Sequence, residues 1–180
     1  MAAIVITFEK RIGALERLLV APLNFRTILL GKTLGSALFG LMVAVFITLI
    51  LIPLMRLSVK HFWAFVLVFI FSGLAFSLLG ILISVGVKEL FEAMTMSNFF
   101  RFPMIFLCGV FFPVSSMPFL LPILTYLLPL TYTVDGLKNC LLKDKGMIPL
   151  PSDLWILLVF VILLFSLSLF IFKKRIRQEF

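Results

Sequence analysis

The chain has 180 residues, of which 63% are hydrophobic and 13% are charged, and its mean hydropathy is +1.25. This composition leaves too little polar surface to cover a water-soluble globule, so it indicates an integral membrane protein. The net charge of +8 does not indicate a nucleic-acid partner, because the basic residues cluster at the ends of apolar runs, beside lipid headgroups.

The first segment with a helical pattern is 8–22. Apolar side chains recur there at helical spacing, charged side chains occupy the remaining surface, and Pro22 ends the pattern. We expect an amphipathic helix on the cytoplasmic side of the membrane. From the residues alone, this helix either lies on anionic lipid or docks on a partner protein. The charged residues available for a protein contact are Glu9, Arg11, Glu16 and Arg17.

Four apolar runs follow and predict membrane-spanning helices. The runs 33–55 and 62–87 are free of charge and long enough to cross a hydrocarbon core of about 30 Å. A third span is predicted over 97–112. The last, 154–172, is unbroken and ends in a basic cluster. The pattern therefore predicts an all-α integral membrane protein with about four transmembrane helices, forming one domain over the whole chain.

The apolar region 102–132 differs from these runs because it contains five prolines, which one straight helix cannot accommodate. Its piece 119–128 is too short to cross a membrane, so we expect a re-entrant or external helical element over 113–132. Asp135 is expected to cap a short helix that begins after Thr133. The prolines are Pro103, Pro113, Pro118, Pro122 and Pro129.

Lysine and arginine predict the orientation of the chain. With four spans, eleven of these residues fall on the side that holds both termini and five fall on the other side. Because basic residues favour the cytoplasmic side, we expect a multi-pass protein of the cell membrane with both termini in the cytoplasm.

Residue types that would carry chemistry are scarce. His61 is solitary, and Cys108 and Cys140 form no CxxC pair. The two long spans contain no carboxylate, which argues against a proton-coupled carrier. The sequence Leu-Gly-Lys-Thr at 30–33 lacks the earlier glycine of a phosphate-binding loop. We therefore expect no catalytic, cofactor-binding or metal-binding residue here, and a membrane enzyme fits poorly.

Three sequence blocks resemble the permeases of type-2 ABC exporters, and together they extend over most of the chain. The first, Glu9-(Lys/Arg)-x-x-Gly-x-Leu-Glu-x-Leu-Leu-x-x-Pro over 9–22, is similar to the coupling helix that follows the family's second transmembrane helix. The second, Gly-Val-Phe-Phe-Pro-Val-Ser-Ser-x-Pro over 109–118, and the third, Leu-Pro-Leu-Thr-Tyr-x-Val-Asp-Gly-Leu over 128–137, are similar to the region between its fifth and sixth helices.

The resemblance implies a permease half that pairs with a second half, as a homodimer or a heterodimer, and binds a separate ABC ATPase subunit. ATP and Mg would then be held by that ATPase and no cofactor by this chain, while substrate moves outward by alternating access. It implies ATPase-coupling roles for Glu9, Arg11, Gly13, Leu15, Glu16 and Arg17. It implies a re-entrant gate at Gly109, Phe112, Pro113, Ser115, Pro118, Pro129, Tyr132 and Asp135.

The cargo and the completeness of the permease remain open. Phenylalanines concentrated over 99–112 favour an amphipathic, lipid-linked or drug-like substrate, although packing against lipid explains them equally well. The family usually has six transmembrane helices, and here the first and most of the second have no counterpart. The apolar stretch 1–7 looks like the last turns of that second helix. The alternative expectation is therefore a truncated, non-transporting membrane remnant or scaffold subunit.

Overall fold

A computed structural model describes residues 2–14, 24–87, 89–111, 121–141 and 146–179. These residues form α-helices joined by short turns and loops, and they contain no β-strand, which confirms the predicted all-α fold. The helices are α1 (Ala2–Arg11), α2 (Phe25–Leu54), α3 (Phe62–Gly86), α4 (Leu90–Leu107), α5 (Leu121–Tyr126), α6 (Pro129–Leu141) and α7 (Leu150–Glu179).

Three helices in the described part of the chain are long and apolar enough to cross a membrane: α2, α3 and the Leu150–Ile171 part of α7. They correspond to the spans predicted over 33–55, 62–87 and 154–172. The helix α2 begins at Phe25, before the predicted span, because the prediction covered only the charge-free run that follows Lys32. The helix α4, which overlaps the span predicted over 97–112, is not among the three. The predicted count of four spans therefore stays a prediction.

The helix α3 lies at the centre of the bundle and contacts α1, α2, α4, α6 and α7. Its buried face meets different partners along its length. Val68 packs with Tyr132 and Leu157, whereas at the opposite end Ile81 packs with Leu29 and the buried face of α1. We call the part of the bundle near Ile81 the Lys32 end and the part near Val68 the Asp135 end.

The helix α2 is far less buried than α3. Only 6% of the most apolar stretch of α2 is buried within the chain, against 33% for α3. A membrane helix with so little internal contact presents most of its surface to lipid or to another protein. The surface of α2 is therefore where this chain has most room for neighbours.

The helix predicted over 8–22 differs in the structure. The helix α1 begins at Ala2, ends at Arg11 and is followed by a turn at Ile12 and Gly13. Gly13 has a φ of 70°, a conformation that glycine adopts without the steric cost of a Cβ atom, and its N–H donates to the carbonyl of Lys10 at 3.1 Å. A single unbroken helix over 8–22 is therefore wrong, and the part over 15–22 lies outside the described residues.

Candidate functional site

The helix α1 is attached to α3 through its amino-terminal half. Ala2 and Ala3 are buried, and a Cβ atom placed on Gly80 would lie 2.8 Å from the Cβ of Ala2 and 3.2 Å from the backbone nitrogen of Ala3. The hydroxyl of Thr7 is buried and donates to the carbonyl of Ala3 at 2.8 Å, so the polar group is satisfied within the helix. The two backbones therefore pack in direct contact at Gly80.

The other attachment of α1 is an ion pair. Lys32 of α2 donates a hydrogen bond to the carboxylate of Glu9, and the two side chains are each 22% exposed. Charge-assisted hydrogen bonds of this kind are stronger than neutral ones, and partial burial reduces their screening by salt. The end of α1 is thus connected to α2 as well as to α3.

The residues predicted to couple to an ATPase therefore separate into groups. Glu9 is engaged by Lys32, whereas Arg11 is exposed and has no ion-pair partner within the described part of the chain. Gly13 forms the turn that ends α1. The remaining members of the set, Leu15, Glu16 and Arg17, lie outside the described residues. The coupling role of all six residues stays a prediction.

At the Asp135 end, Asp135 binds the loop that precedes α7. Its side chain is 5% exposed, and its two carboxylate oxygens accept hydrogen bonds from the backbone N–H groups of Met147, at 2.8 Å, and Ile148, at 2.9 Å. The helix α6 begins at Pro129, so Asp135 lies in its interior. The expected capping of a helix that begins after Thr133 is therefore wrong, because Asp135 instead satisfies two loop donors.

Asn139, one helical turn after Asp135, extends this network and is a site residue that the sequence motifs do not indicate. Its amide nitrogen donates to the carbonyl of Ile148 at 3.0 Å and to a carboxylate oxygen of Asp153 at 3.2 Å, and its oxygen accepts from the N–H of Gly146 at 2.7 Å. The spacing of Asp135 and Asn139, which places both on one face of a helix, is the sequence signal that would have indicated a shared partner.

Asp153 completes the network from α7. It is fully buried, and its second carboxylate oxygen has no hydrogen-bond partner in the described part of the chain. The helices approach closely here, since a Cβ atom on Gly136 would lie 3.0 Å from a methyl group of Val68 and 3.8 Å from the Cβ of Asp153. Asp153 thus links α7 to α6 at the point where both pack against α3.

Pro129 and Tyr132, two of the residues predicted to form a gate, lie at the start of α6. The Tyr132 hydroxyl donates to the carbonyl of Tyr126 at 2.7 Å, and its ring lies 6.0 Å from that of Phe160 in α7. Burial raises the pKa of the Tyr132 phenol, so this group remains a protonated donor. The side chain therefore joins α5 and α6 to α7.

Gly109 lies just beyond α4 and is joined to α6. It has a φ of 79°, and its carbonyl accepts a hydrogen bond from the ammonium group of Lys138 at 2.8 Å. The structure thus brings Gly109, Pro129, Tyr132 and Asp135 to the same end of the bundle. The other members of the predicted gate, Phe112, Pro113, Ser115 and Pro118, lie outside the described residues, and gating stays a prediction.

A groove of about 360 Å³ lies between α2, α3 and α6, with Ala2 of α1 on one side. Its walls mix apolar side chains with hydroxyl groups, and the hydroxyl oxygens of Ser72 and Thr133 are 2.9 Å apart. The groove is therefore amphipathic in character. Its hydroxyl-bearing residues are Ser36, Ser72, Ser77 and Thr133.

Metal-ligating side chains do not converge within the described residues, where no group of three or more His, Cys, Asp or Glu side chains is placed to hold an ion. Cys108 and Cys140 are both buried and unpaired with each other. Burial raises the pKa of the Cys140 thiol, which keeps it protonated and unreactive at neutral pH.

Comparison with known proteins identifies the family. Residues 1–142 match the family described as ABC-2 type transporter. The inner membrane transport permease YadH of Escherichia coli K12 is 30% identical over 149 residues, which cover 82% of this chain and 57% of YadH. The probable multidrug ABC transporter permease YbhR of the same organism is 28% identical over 169 residues, which cover 93% of this chain and 46% of YbhR. No solved structure matches.

The chain thus spans about half the length of the curated relatives it matches. The family match nevertheless covers 142 of its 180 residues, and the matched region contains two of the three apolar helices together with Asp135 and Asn139. The chain belongs to the ABC-2 type transporter family.

Proposed function

We propose that this chain is the membrane permease component of an ATP-driven exporter and that a separate ABC ATPase subunit acts on the segment 8–22. The Lys32 end and both termini face the cytoplasm, and the Asp135 end faces outward, as the distribution of basic residues indicates. A second permease half, from another copy or a related chain, completes the transporter in the cell membrane.

The observation that carries this proposal, beyond family membership, is the double attachment of α1. Its first turn packs against Gly80 of α3, and its last turn is paired through Glu9 with Lys32 of α2. A displacement of the segment after Arg11 therefore acts on two membrane helices together. Rigid movement of packed helices is a common means of converting events at one site into a change at another.

The network at the Asp135 end would carry that movement outward. Asp135 and Asn139 connect α6 to the loop before α7, and Lys138 connects α6 to the end of α4. A shift of α7 against α3 would therefore reposition α5 and α6, which contain part of the proposed gate. The gate would open or close as a unit, because its parts are joined by hydrogen bonds between helices.

The proposed cargo is amphipathic, lipid-linked or drug-like. The groove beside α3 supports this class because hydroxyl groups and apolar side chains share its walls. The name of the relative YbhR describes that protein as a probable multidrug permease, which agrees with a cargo of this class.

The test uses the full-length chain. Tagged protein is purified from its own membranes, the ABC ATPase subunit that accompanies it is identified, and the two are reconstituted in proteoliposomes. We expect Arg11→Glu to reduce ATPase retention and ATP hydrolysis, because Arg11 is an exposed residue of the coupling segment 8–22. The matched control, Arg56→Glu, makes the same charge change just beyond the other end of α2 and should retain the ATPase.

Two results would overturn the proposal. One is the absence of any ATPase from preparations in which the chain is folded. The other is equal loss of ATPase with Arg11→Glu and Arg56→Glu, which would show that the contact does not depend on the Lys32 end. Uptake of a fluorescent amphipathic compound into the proteoliposomes then measures ATP-dependent transport by the reconstituted pair.

A further inference from the structure

A surface pocket lies at the Lys32 end between the start of α2 and the last third of α7. It has a volume of about 400 Å³ and is lined by three apolar side chains and two polar ones. It lies apart from the groove beside α3 and from the network at the Asp135 end. The lining residues are Asn24, Phe25, Arg26, Leu169 and Phe170.

The polar side of this pocket is basic. Arg26 is exposed and has no ion-pair partner within the described residues. Lys174 is exposed, is likewise unpaired there, and follows Phe170 by four positions in α7. Because residues four apart on a helix share a face, Lys174 lies about one turn beyond the pocket, on the Phe170 side. Two cations that have no ion-pair partner among the described side chains therefore flank the pocket, and its lining contains no acidic residue.

The apolar side of the pocket is equally well defined. Phe170 is 68% exposed and Phe25 is 37% exposed, although both occur at the ends of helices that are apolar enough to cross a membrane. Large apolar side chains at such positions are placed to meet lipid chains just below the headgroups. The pocket thus presents hydrocarbon-binding surface directly beside cations.

We propose that this pocket binds an anionic phospholipid, with the phosphate on Arg26 and Lys174 and the upper acyl chain against Phe25, Leu169 and Phe170. The charge complementarity selects the ligand: a guanidinium group binds a phosphate with two parallel hydrogen bonds, and the amide of Asn24 adds a donor. Basic pockets between membrane helices are suited to anionic headgroups. The site requires only that the chain is embedded in a membrane, so it is independent of any ATPase.

The test measures lipid retention directly. The full-length chain is exchanged into detergent containing equal amounts of phosphatidylglycerol and phosphatidylcholine with identical acyl chains, and bound lipid is counted by native mass spectrometry. We expect the chain to retain phosphatidylglycerol preferentially, and Arg26→Gln to reduce that preference about fivefold. Arg26→Lys should reduce it less, because the charge remains while the paired hydrogen bonds are lost.

Arg56→Gln is the matched control, since it removes one exposed arginine that lies just beyond the other end of α2. It should leave the lipid preference unchanged. Circular dichroism verifies that each variant keeps its helix content. We expect no loss of helix, because the substituted arginines are exposed. Equal retention of the two lipids by the native chain would overturn the proposal. So would an equal loss with Arg26→Gln and Arg56→Gln, because the effect would then reflect total charge.

A second arm separates a lipid from a soluble phosphate. Glycerophosphoglycerol carries the same headgroup without acyl chains, and we expect it not to displace phosphatidylglycerol at equal concentration. Phe170→Ala should lower the retention of phosphatidylglycerol. In the Phe170→Ala background, Arg26→Gln should still reduce the preference for phosphatidylglycerol more than Arg56→Gln does. Full displacement by glycerophosphoglycerol would show that the apolar wall contributes nothing and that the site does not bind lipid.

Discussion

Lys32 and Glu9 form an ion pair that joins α2 to the end of α1. The two residues are 23 positions apart, and the pair connects the segment proposed to meet an ATPase with the first apolar helix. In the sequence, Lys32 is one of the eleven basic residues that predict the cytoplasmic side. In the structure, Lys32 also engages Glu9, so the carboxylate of Glu9 is already paired within the chain.

The first prediction concerns this pair. Glu9→Gln and Lys32→Gln should each reduce ATP-driven transport, because α1 loses its polar connection to α2. The stability cost should be only about 1 kcal/mol or less, since both side chains are partly exposed. Transport in proteoliposomes and the thermal unfolding midpoint are measured for both variants.

The charge-swapped double variant, Glu9→Lys with Lys32→Glu, is the control for this prediction. It restores an ion pair of opposite polarity and should recover transport that the single reversals lose. A double-mutant cycle on stability should show coupling between the sites. If the swapped variant transports no better than the single variants Glu9→Lys and Lys32→Glu, transport does not depend on the ion pair.

The second prediction concerns Asp135. Asp135→Asn replaces one acceptor oxygen by an amide nitrogen, so either Met147 or Ile148 loses its hydrogen-bond partner. A buried donor left unsatisfied costs about 1 to 3 kcal/mol. We expect a lower unfolding midpoint and faster hydrogen exchange at the amides of Met147 and Ile148.

Asp153→Asn is the matched control, because it makes the same chemical change elsewhere in the same network. One carboxylate oxygen of Asp153 has no partner within the described residues, so an asparagine can keep the acceptor for Asn139 and place its amide nitrogen where no hydrogen bond is lost. Its effect on stability should therefore lie within about 1 kcal/mol of zero. A larger loss with Asp153→Asn than with Asp135→Asn would contradict the assigned hydrogen bonds.

The long helices are predictable from the sequence, because a charge-free run long enough to cross a membrane has few structures open to it other than a membrane-spanning helix. The break after Arg11 is not, because Gly13 fits both an uninterrupted amphipathic helix and a helix terminus. The packing of α1 against Gly80 then depends on a tertiary contact that sequence spacing does not encode.

The network at the Asp135 end was predicted only in part. The sequence predicts that Asp135 belongs to the gate segment and caps a helix, whereas its hydrogen-bond partners lie in a loop 12 and 13 positions away, which no local pattern indicates. Asn139 and Asp153 are 14 positions apart and meet only after α6 and α7 pack together. Local patterns indicate helix faces, whereas contacts across a loop require the folded arrangement.

The third prediction concerns the contact between α1 and α3. Gly80→Ala places a methyl group 2.8 Å from the Cβ of Ala2 and close to the backbone of Ala3, so α1 must shift. We expect a destabilisation of about 1 to 3 kcal/mol and a lower unfolding midpoint. Adding Ala2→Gly removes the closest contact and should recover part of the loss.

Gly35→Ala is the matched control on α2, where an added Cβ meets no atom within 4 Å. Alanine favours the helix over glycine by up to about 1 kcal/mol, so this variant should be neutral or more stable. Comparable destabilisation by Gly80→Ala and Gly35→Ala would show that α1 does not pack on Gly80 as described.

The last prediction concerns membrane orientation and uses an impermeant maleimide. The native cysteines, Cys108 and Cys140, are both buried. Burial also raises the pKa of the Cys140 thiol, so the reactive thiolate is a small fraction at pH 7 and increases only as the pH rises toward that pKa. Background labelling should therefore be low at pH 7. A cysteine introduced by Arg11→Cys should react in inverted vesicles, and one introduced by Lys60→Cys should react in intact cells, because these residues lie at opposite ends of the bundle. Labelling of both from the same side would contradict the proposed orientation.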